Sequence, residues 1–302
     1  MAAPERRPPT AEENRTGIYA TLGAMAVFIV NDAFVKSAGS HYPVGQLMVI
    51  RGVFATAIMF FIVKWSGELH RLREAFRRRV LMRGVLEALV AVTFISAVTR
   101  MPIGDTTAIL QASPVFITVI GAILGYERVG PRSWLAVLAG FAGVLLIVRP
   151  GTASFTPVAL VALASAVLVA LRDIATRAIP ADVPTSVVSF TTAWAVIIAG
   201  GLVDTTEDWV PLATVPTLKL VAAAGFVAVG NVMIVAAYRR ADFSVIAPFR
   251  YSIVVFSLVV GFFVFGERPD ALALTGAAMI AASGLYTVHR ERIRSKERGA
   301  AS

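Results

Sequence analysis

Residues 113–128 read SPVFITVIGAILGYER, and residues 253–268 read IVVFSLVVGFFVFGER. Each is an almost unbroken apolar run closed by a glutamate and an arginine. The two share residues at fixed offsets: Val115-Phe116 against Val255-Phe256, Gly121 against Gly261, and Glu127-Arg128 against Glu267-Arg268. A helix of roughly 20 such residues crosses about 30 Å of hydrocarbon. The recurrence, 140 residues apart, is the mark of a duplicated unit.

Segments of the same kind fill the chain on either side. Ten are expected, over 17–39, 43–64, 80–100, 105–125, 131–149, 157–177, 184–203, 215–238, 242–265 and 270–289. Pro43, Pro102, Pro131, Pro157, Pro184 and Pro269 stand at or just before helix starts, where a missing N–H costs little. Composition agrees: 57% of the 302 residues are apolar and 16% charged, with a mean hydropathy of +0.75. A soluble core of this size does not conceal that much apolar surface. The chain has no cysteine, which excludes disulfides, thiolate metal sites and a cysteine nucleophile.

Basic residues orient the chain, because lysine and arginine are retained on the cytoplasmic side during insertion. Placing the N-terminus inside puts most of the 28 lysines and arginines in cytoplasmic connections and tails. The connection after the seventh segment then lies outside and carries Asp204, Glu207 and Asp208. Both termini are expected in the cytoplasm of a multi-pass inner-membrane protein. Residues 1–16 form one tail, without the apolar block of a signal peptide, and residues 290–302 form a second, basic one. The net charge of +9 has the same topological origin, so nucleic acid is not an expected partner. Between Glu68 and Arg79, Leu69, Leu72 and Phe76 share a helical face among arginines. That suits a helix lying on anionic lipid, and equally a solvated loop that only fixes topology.

The duplication extends over both halves. At a shift of 141, Asp32 meets Asp173, Lys36 meets Arg177, Pro43 meets Pro184, Gly84 meets Gly225 and Gly143 meets Gly284; at 140, Ala97 meets Ala237 and Arg100 meets Arg240. Each copy, residues 17–150 and 151–289, holds five crossings. An odd number makes the second copy enter from the opposite side, so the expected fold is an all-α membrane protein of ten transmembrane helices in two inverted five-helix repeats. Such halves can exchange roles around a site near the midplane, which is the logic of alternating access.

The residues that carry the repeat also carry a resemblance. Ser113-Pro114 with Gly125-Tyr126-Glu127-Arg128, and Ala247-Pro248-Phe249-Arg250-Tyr251 with Phe265-Gly266-Glu267-Arg268, resemble the drug/metabolite transporter superfamily, of the EamA type with ten helices. Asn31-Asp32-Ala33 with Lys36, Pro43 and Arg51 resembles a bacterial subgroup that contains riboflavin and S-adenosylmethionine uptake carriers. The resemblance implies a secondary carrier of a small organic metabolite, with riboflavin or another flat solute as the first expectation. Export of amino acids or drugs is the alternative. A fold does not fix the solute, which has to be argued from the site.

An ionisable side chain at membrane depth is costly unless it meets protein, water or a partner. Asp32 and Lys36 share a helical face, as do their counterparts Asp173 and Arg177. They are expected either to gate or couple opposite sides of the membrane or to form within-helix ion pairs at helix ends. Residues without a charged or polar match in the other half are candidates for the solute site. These are Arg51 (against Thr192), Arg250 (against Leu110), Glu87 (against Ala228) and Asn231 (against Val90 or Ala91), together with the mutually matched Gln111 and Tyr251. Arg51, Glu87, Gln111 and Arg250 lie roughly 9 to 12 Å inside their helix ends. Arginine's planar fork suits carboxylates, phosphates and ring carbonyls. The alternative for Arg51 and Arg250 is structural pairing with Glu87 or backbone carbonyls. Phe94, Trp194, Phe249 and Tyr251 either stack on an aromatic solute or simply pack or face lipid.

Gly121 and Gly125 permit close helix approach, within the bundle or at a homodimer contact. Glu127 and Glu267 are expected to cap helices. His41, His70 and His289 are scattered, so no metal site and no cofactor is expected. An integral-membrane enzyme needs a clustered nucleophile and base, and the chain has no Gly-x-Ser-x-Gly, His-Glu-x-x-His or phosphate-binding Gly-rich loop. A channel remains the other competing class.

Overall fold

The computed structural model describes residues 10–123, 131–149, 152, 155–180, 182–204, 208–241 and 243–299, and these are helical apart from short connections. Glu127, Arg128, Gly125 and Tyr126 lie outside them, as do residues 1–9; of Arg177 only the backbone is described.

The first half runs α1 (Ala11–Ala38), α2 (Val44–Trp65), a 3-10 helix (Leu69–Phe76), α3 (Arg78–Val98), α4 (Ile103–Leu110), α5 (Ser113–Ile123) and α6 (Pro131–Val148). The second runs α7 (Pro157–Arg177), α8 (Thr185–Asp204), α9 (Thr214–Arg240), α10 (Phe243–Ile246), a 3-10 turn (Ala247–Tyr251), α11 (Ser252–Phe265) and α12 (Ala271–Gly299). Eight stretches among the described residues are long and apolar enough to cross a membrane, counting α4 with α5 and the 3-10 turn with α11 as one each. Trp134–Val148 and Ala271–Tyr286 are shorter apolar helices at the fifth and tenth expected positions. The chain is a multi-pass membrane protein whose outward faces, such as Phe61, Leu135 and Phe263, remain apolar and exposed as lipid-facing side chains do.

Local signals set several boundaries. A capping box starts α1, with Thr10 and Glu13 each accepting from the other's backbone N–H, at 3.2 and 2.7 Å. Pro157 opens α7, and Gly266, at φ 66°, closes α11 in the left-handed conformation. Two crossings are interrupted. The fourth breaks at Gln111–Ala112, where Pro114 has no N–H to offer the Leu110 carbonyl. The ninth is broken by the 3-10 turn that ends at Tyr251, the repeat counterpart of Gln111.

Helix α1 packs on α9 and α3 on α7, while α2 packs on α8, α6 on α12 and α4 on α11. Exchanging the two halves converts the first pair into the second and returns each of the others to itself. At α6–α12 the backbones touch: a Cβ on Gly143 would stand 2.7 Å from the Gly276 carbonyl, and one on Gly276 2.6 Å from the Gly143 carbonyl. Close approach therefore occurs here. At Gly121 an added Cβ meets nothing within 4 Å, so of the two expected uses of Gly121 and Gly125 the described residues show no close approach within the bundle at Gly121.

Candidate functional site

Helix α1 sits between the two halves, touching α9, α11, α3, α4 and the 3-10 turn, and carries Asn31, Asp32 and Lys36 inward. Lys36 does not pair with Asp32, as the four-residue spacing suggested. Its ammonium lies 3.1 Å from Glu267 at the end of α11, with both side chains largely buried. It also donates to the carbonyls of Val98, at 3.1 Å, and Met101, and stands 5.4 Å from the Phe265 ring centroid. The carbonyls at the end of α3 bear partial negative charge, so the long lysine stem reaches a richer set of acceptors there than Asp32 offers. Glu267 is correspondingly no simple cap. Its second oxygen accepts the Ile103 N–H at 2.9 Å, and Gly261 makes room for it, since a Cβ there would lie 2.6 Å from that oxygen. One lysine and one glutamate thus join α1, α3, α4 and α11. The repeat counterparts, Arg177 and Glu127, fall outside the described side chains.

Asp32 is left facing Arg51 of α2. Asn31 donates to its carboxylate at 2.8 Å, and Asp32 and Arg51 lie within electrostatic range of each other, yet neither makes an ion pair among the described residues. The Arg51 Nε is buried without a hydrogen-bond partner. Both side chains are half-buried. Other buried polar atoms share the condition: Asn31 Oδ1, Thr107 Oγ1 on α4, Ser165 Oγ on α7, Tyr251 OH and Ser252 Oγ. In a membrane interior each such atom calls for water or a solute.

Glu87 of α3 also reaches Arg51 electrostatically, but its close partners are Arg172 of α7, at 3.2 and 3.3 Å, and Arg83, at 3.7 Å. Arg172 grips Asp173 through Nε and Nη2 at 3.0 and 2.8 Å, and Arg83 donates to Thr176 and Thr192 at 3.0 and 2.9 Å. Both arginines are among the basic residues that the charge distribution places at cytoplasmic helix ends. Their signal was the four-residue spacing of Arg83 and Glu87 and the adjacency of Arg172 to Asp173. The charges together balance, with Asp32, Glu87 and Asp173 against Arg51, Arg83 and Arg172.

The remaining candidates are dispersed. Tyr251 is buried over Gly284, whose lack of a side chain accommodates the phenol. Gln111 is half-buried at the break of the fourth crossing, Trp194 is half-buried on α8, and Phe94 packs on the core formed by Val35, Leu47 and Ile95. Asn231 and Arg250 are exposed, and no described contact joins them to the Asp32–Arg51–Glu87 line. A lateral groove of about 430 Å³ between α6 and α12, lined by Leu135, Ala139, Met279 and Tyr286, is apolar and separate from these charges.

Outside the spanning segments, two exposed carboxylates are held below their ordinary range by arginines. Arg77 hydrogen-bonds Asp182 at 2.9 Å and lowers its pKa. Arg149, first, and the Ala273 N–H, second, hold Asp270 at about 2.

Comparison with known proteins gives these features a family. Residues 15–149 match the EamA-like transporter family. The pseudopaline exporter of Pseudomonas aeruginosa is 28% identical over 88% of this chain and 93% of its own. The riboflavin transporter of Rhizobium johnstonii is 29% identical over 75% of each chain, and the S-adenosylmethionine uptake transporter of Rickettsia prowazekii is 22% identical over 91% of this chain and 93% of its own. A solved chain, described only as the crystal structure of a protein, shares the fold with a TM-score of 0.62 at 22% identity, over 91% of this chain and 98% of its own. These relatives move small metabolites and are not enzymes. Residues 15–149 thus match an EamA-like transporter domain, and the chain as a whole is similar to transporters of small metabolites.

Proposed function

We propose that the protein is a secondary carrier that passes a small organic metabolite across the inner membrane by alternating access, around a site centred on Asp32 and Arg51. The observation that carries this reading is a half-buried acid and a half-buried base that lie within electrostatic range without an ion pair, among buried polar atoms that lack partners. Interruptions at the matched positions Gln111 and Tyr251 support it, because broken helices at corresponding places in two repeats frame transporter sites. The exchangeable helix pairing and the family match over residues 15–149 support two inverted copies, 17–150 and 151–289, with both termini in the cytoplasm.

Lys36 and Glu267 then close the outer side. Asp173, Arg172 and Glu87 hold the inner ends of α3 and α7 together. Uptake of riboflavin or a similar flat solute is the first reading, with Phe94, Trp194, Gln111 and Tyr251 as the residues that stack on it or bind its carbonyls. Asn231 and Arg250 act at the mouth. A second reading, export of an amino acid or drug, is favoured by the balanced charges, since a net-neutral site with one open acid and one open base suits a solute bearing both signs. The solute is tested by counterflow in proteoliposomes loaded with riboflavin or with amino acids. Saturable exchange of one of them, strongly reduced in Arg51→Lys, is the expected result. A conductance that does not saturate would assign the chain to the channels instead.

A further inference from the structure

The connection between α2 and α3 is wound as a 3-10 helix over Leu69–Phe76. At three residues per turn, side chains three apart eclipse, which sorts this segment into three columns. Leu69, Leu72 and Ala75 form the first. Ala75 is buried and Leu72 half-buried, so this column turns in toward the protein from an exposed start at Leu69. Arg71, Glu74 and Arg77 form the second. Arg71 bonds Glu74 at 2.8 Å and donates to the Asp182 carbonyl, and Arg77 bonds the Asp182 carboxylate, so this column is tied to the α7–α8 connection. His70, Arg73 and Phe76 form the third, and all three are exposed, Phe76 by 70%. An α-helical winding would have put Phe76 beside Leu69 and Leu72; the tighter winding turns it outward beside Arg73.

The outward column continues into both neighbouring helices. Lys64 and the 83% exposed Trp65 end α2, and exposed Arg78 and Arg79 begin α3. Each carboxylate of the segment is engaged elsewhere, Glu68 by the Ser186 hydroxyl and Glu74 by Arg71 and Arg77. Arg73 and Arg78 have no ion-pair partner among the described residues. Because α2 and α3 both cross the membrane, this surface of aromatic and cationic side chains stands at the level where acyl chains give way to phosphates. The equivalent connection of the other half, residues 205–213, carries Glu207 and Asp208 and no lysine or arginine.

We propose that the outward column of the Leu69–Phe76 helix, with Trp65 and Arg78, is a docking surface for anionic phospholipid, in which Phe76 and Trp65 enter the acyl boundary while Arg73 and Arg78 bind head-group phosphates. Its chemistry is sequence-local charge and interfacial aromatics. It is independent of which solute is carried.

The test uses the full chain reconstituted in nanodiscs of phosphatidylcholine, with and without an equal part of phosphatidylglycerol, then extracted and weighed by native mass spectrometry. The expected result is selective retention of phosphatidylglycerol by the wild type. Retention should fall about fivefold for each arginine removed in Arg73→Gln and Arg78→Gln. Neither substitution leaves a protein partner unpaired, so the fold is preserved, and unchanged counterflow at saturating solute would confirm it. Phe76→Ser should lower retention of both lipids. Equal retention of the two lipids by the wild type, or undiminished phosphatidylglycerol on the Arg73→Gln/Arg78→Gln protein, would overturn the proposal and leave the carrier reading untouched.

Discussion

Two groups of charges occupy the interior, one built around α3 and α7 and the other around α1 and α2, and they are finished differently. Glu87, Arg83, Arg172 and Asp173 close on themselves, with every described distance at or below 3.7 Å. Asp32 and Arg51 share no ion pair, and Arg51 keeps an unpartnered Nε. A closed network holds two helices together, because separating its members would strand charge in a medium of low polarity. An open pair stabilises nothing until something fills it. The contrast separates residues that build the carrier from residues that meet the solute.

The largest effect that would break this contrast is at Arg51. Arg51→Lys keeps the charge but loses the fork, and transport should fall about 10- to 100-fold, the weight of a hydrogen bond to a charged group, with the thermal midpoint nearly unchanged. If stability falls and kinetics do not, Arg51 belongs with the scaffold. The converse applies at Arg172. Arg172→Gln leaves Glu87 and Asp173 short of a partner and should cost about 2 kcal/mol, read as a lowered midpoint in detergent, with little effect on apparent affinity.

A smaller change is expected at Lys36 and Glu267. Glu267→Gln should weaken the latch by about 1 kcal/mol and expose the ends of α1 and α11 to thiol labelling at introduced cysteines, in a chain that has none of its own. The exchange Lys36→Glu with Glu267→Lys should recover part of the protection. Equal labelling in all three proteins would show that the ion pair is incidental. The smallest effect concerns Asp270, which is exposed and clamped by Arg149. Its folded pKa of about 2 lies below the unfolded value of 3.8, so its contribution is complete above that value and disappears as pH falls through 2. Asp270→Asn should flatten the stability profile over that interval and leave transport at neutral pH unaltered.

The crossings were legible in the sequence because burial in lipid imposes long apolar runs that no other environment requires. The partners of the charged residues were less so. Spacing left Lys36 either a gating role or an ion pair with Asp32 within the helix, but a flexible four-carbon stem chose Glu267 and the open carbonyls after α3, and only the packing of α11 against α1 brings those within reach. Arg83 and Arg172 near helix ends counted toward orientation, yet the same positions let them fold inward onto Glu87. The winding of Leu69–Phe76 also escaped the pattern, since three columns and a helical stripe share Leu69 and Leu72 and differ only in Phe76. Close helix approach follows from which glycines oppose each other, and Gly143 meets Gly276 across 133 residues that no local motif spans.

Everything turns on whether the two sides open in opposition. Spin labels on cysteines at exposed Arg100 and Arg268 report the Lys36–Glu267 side, and labels at exposed Arg78 and Thr185 report the opposite ends of α3 and α8. When Lys36→Met releases the latch, double electron–electron resonance should show the first distance lengthening while the second shortens. Both distances growing together, or the second holding still while the first opens, would contradict alternating access in this protein.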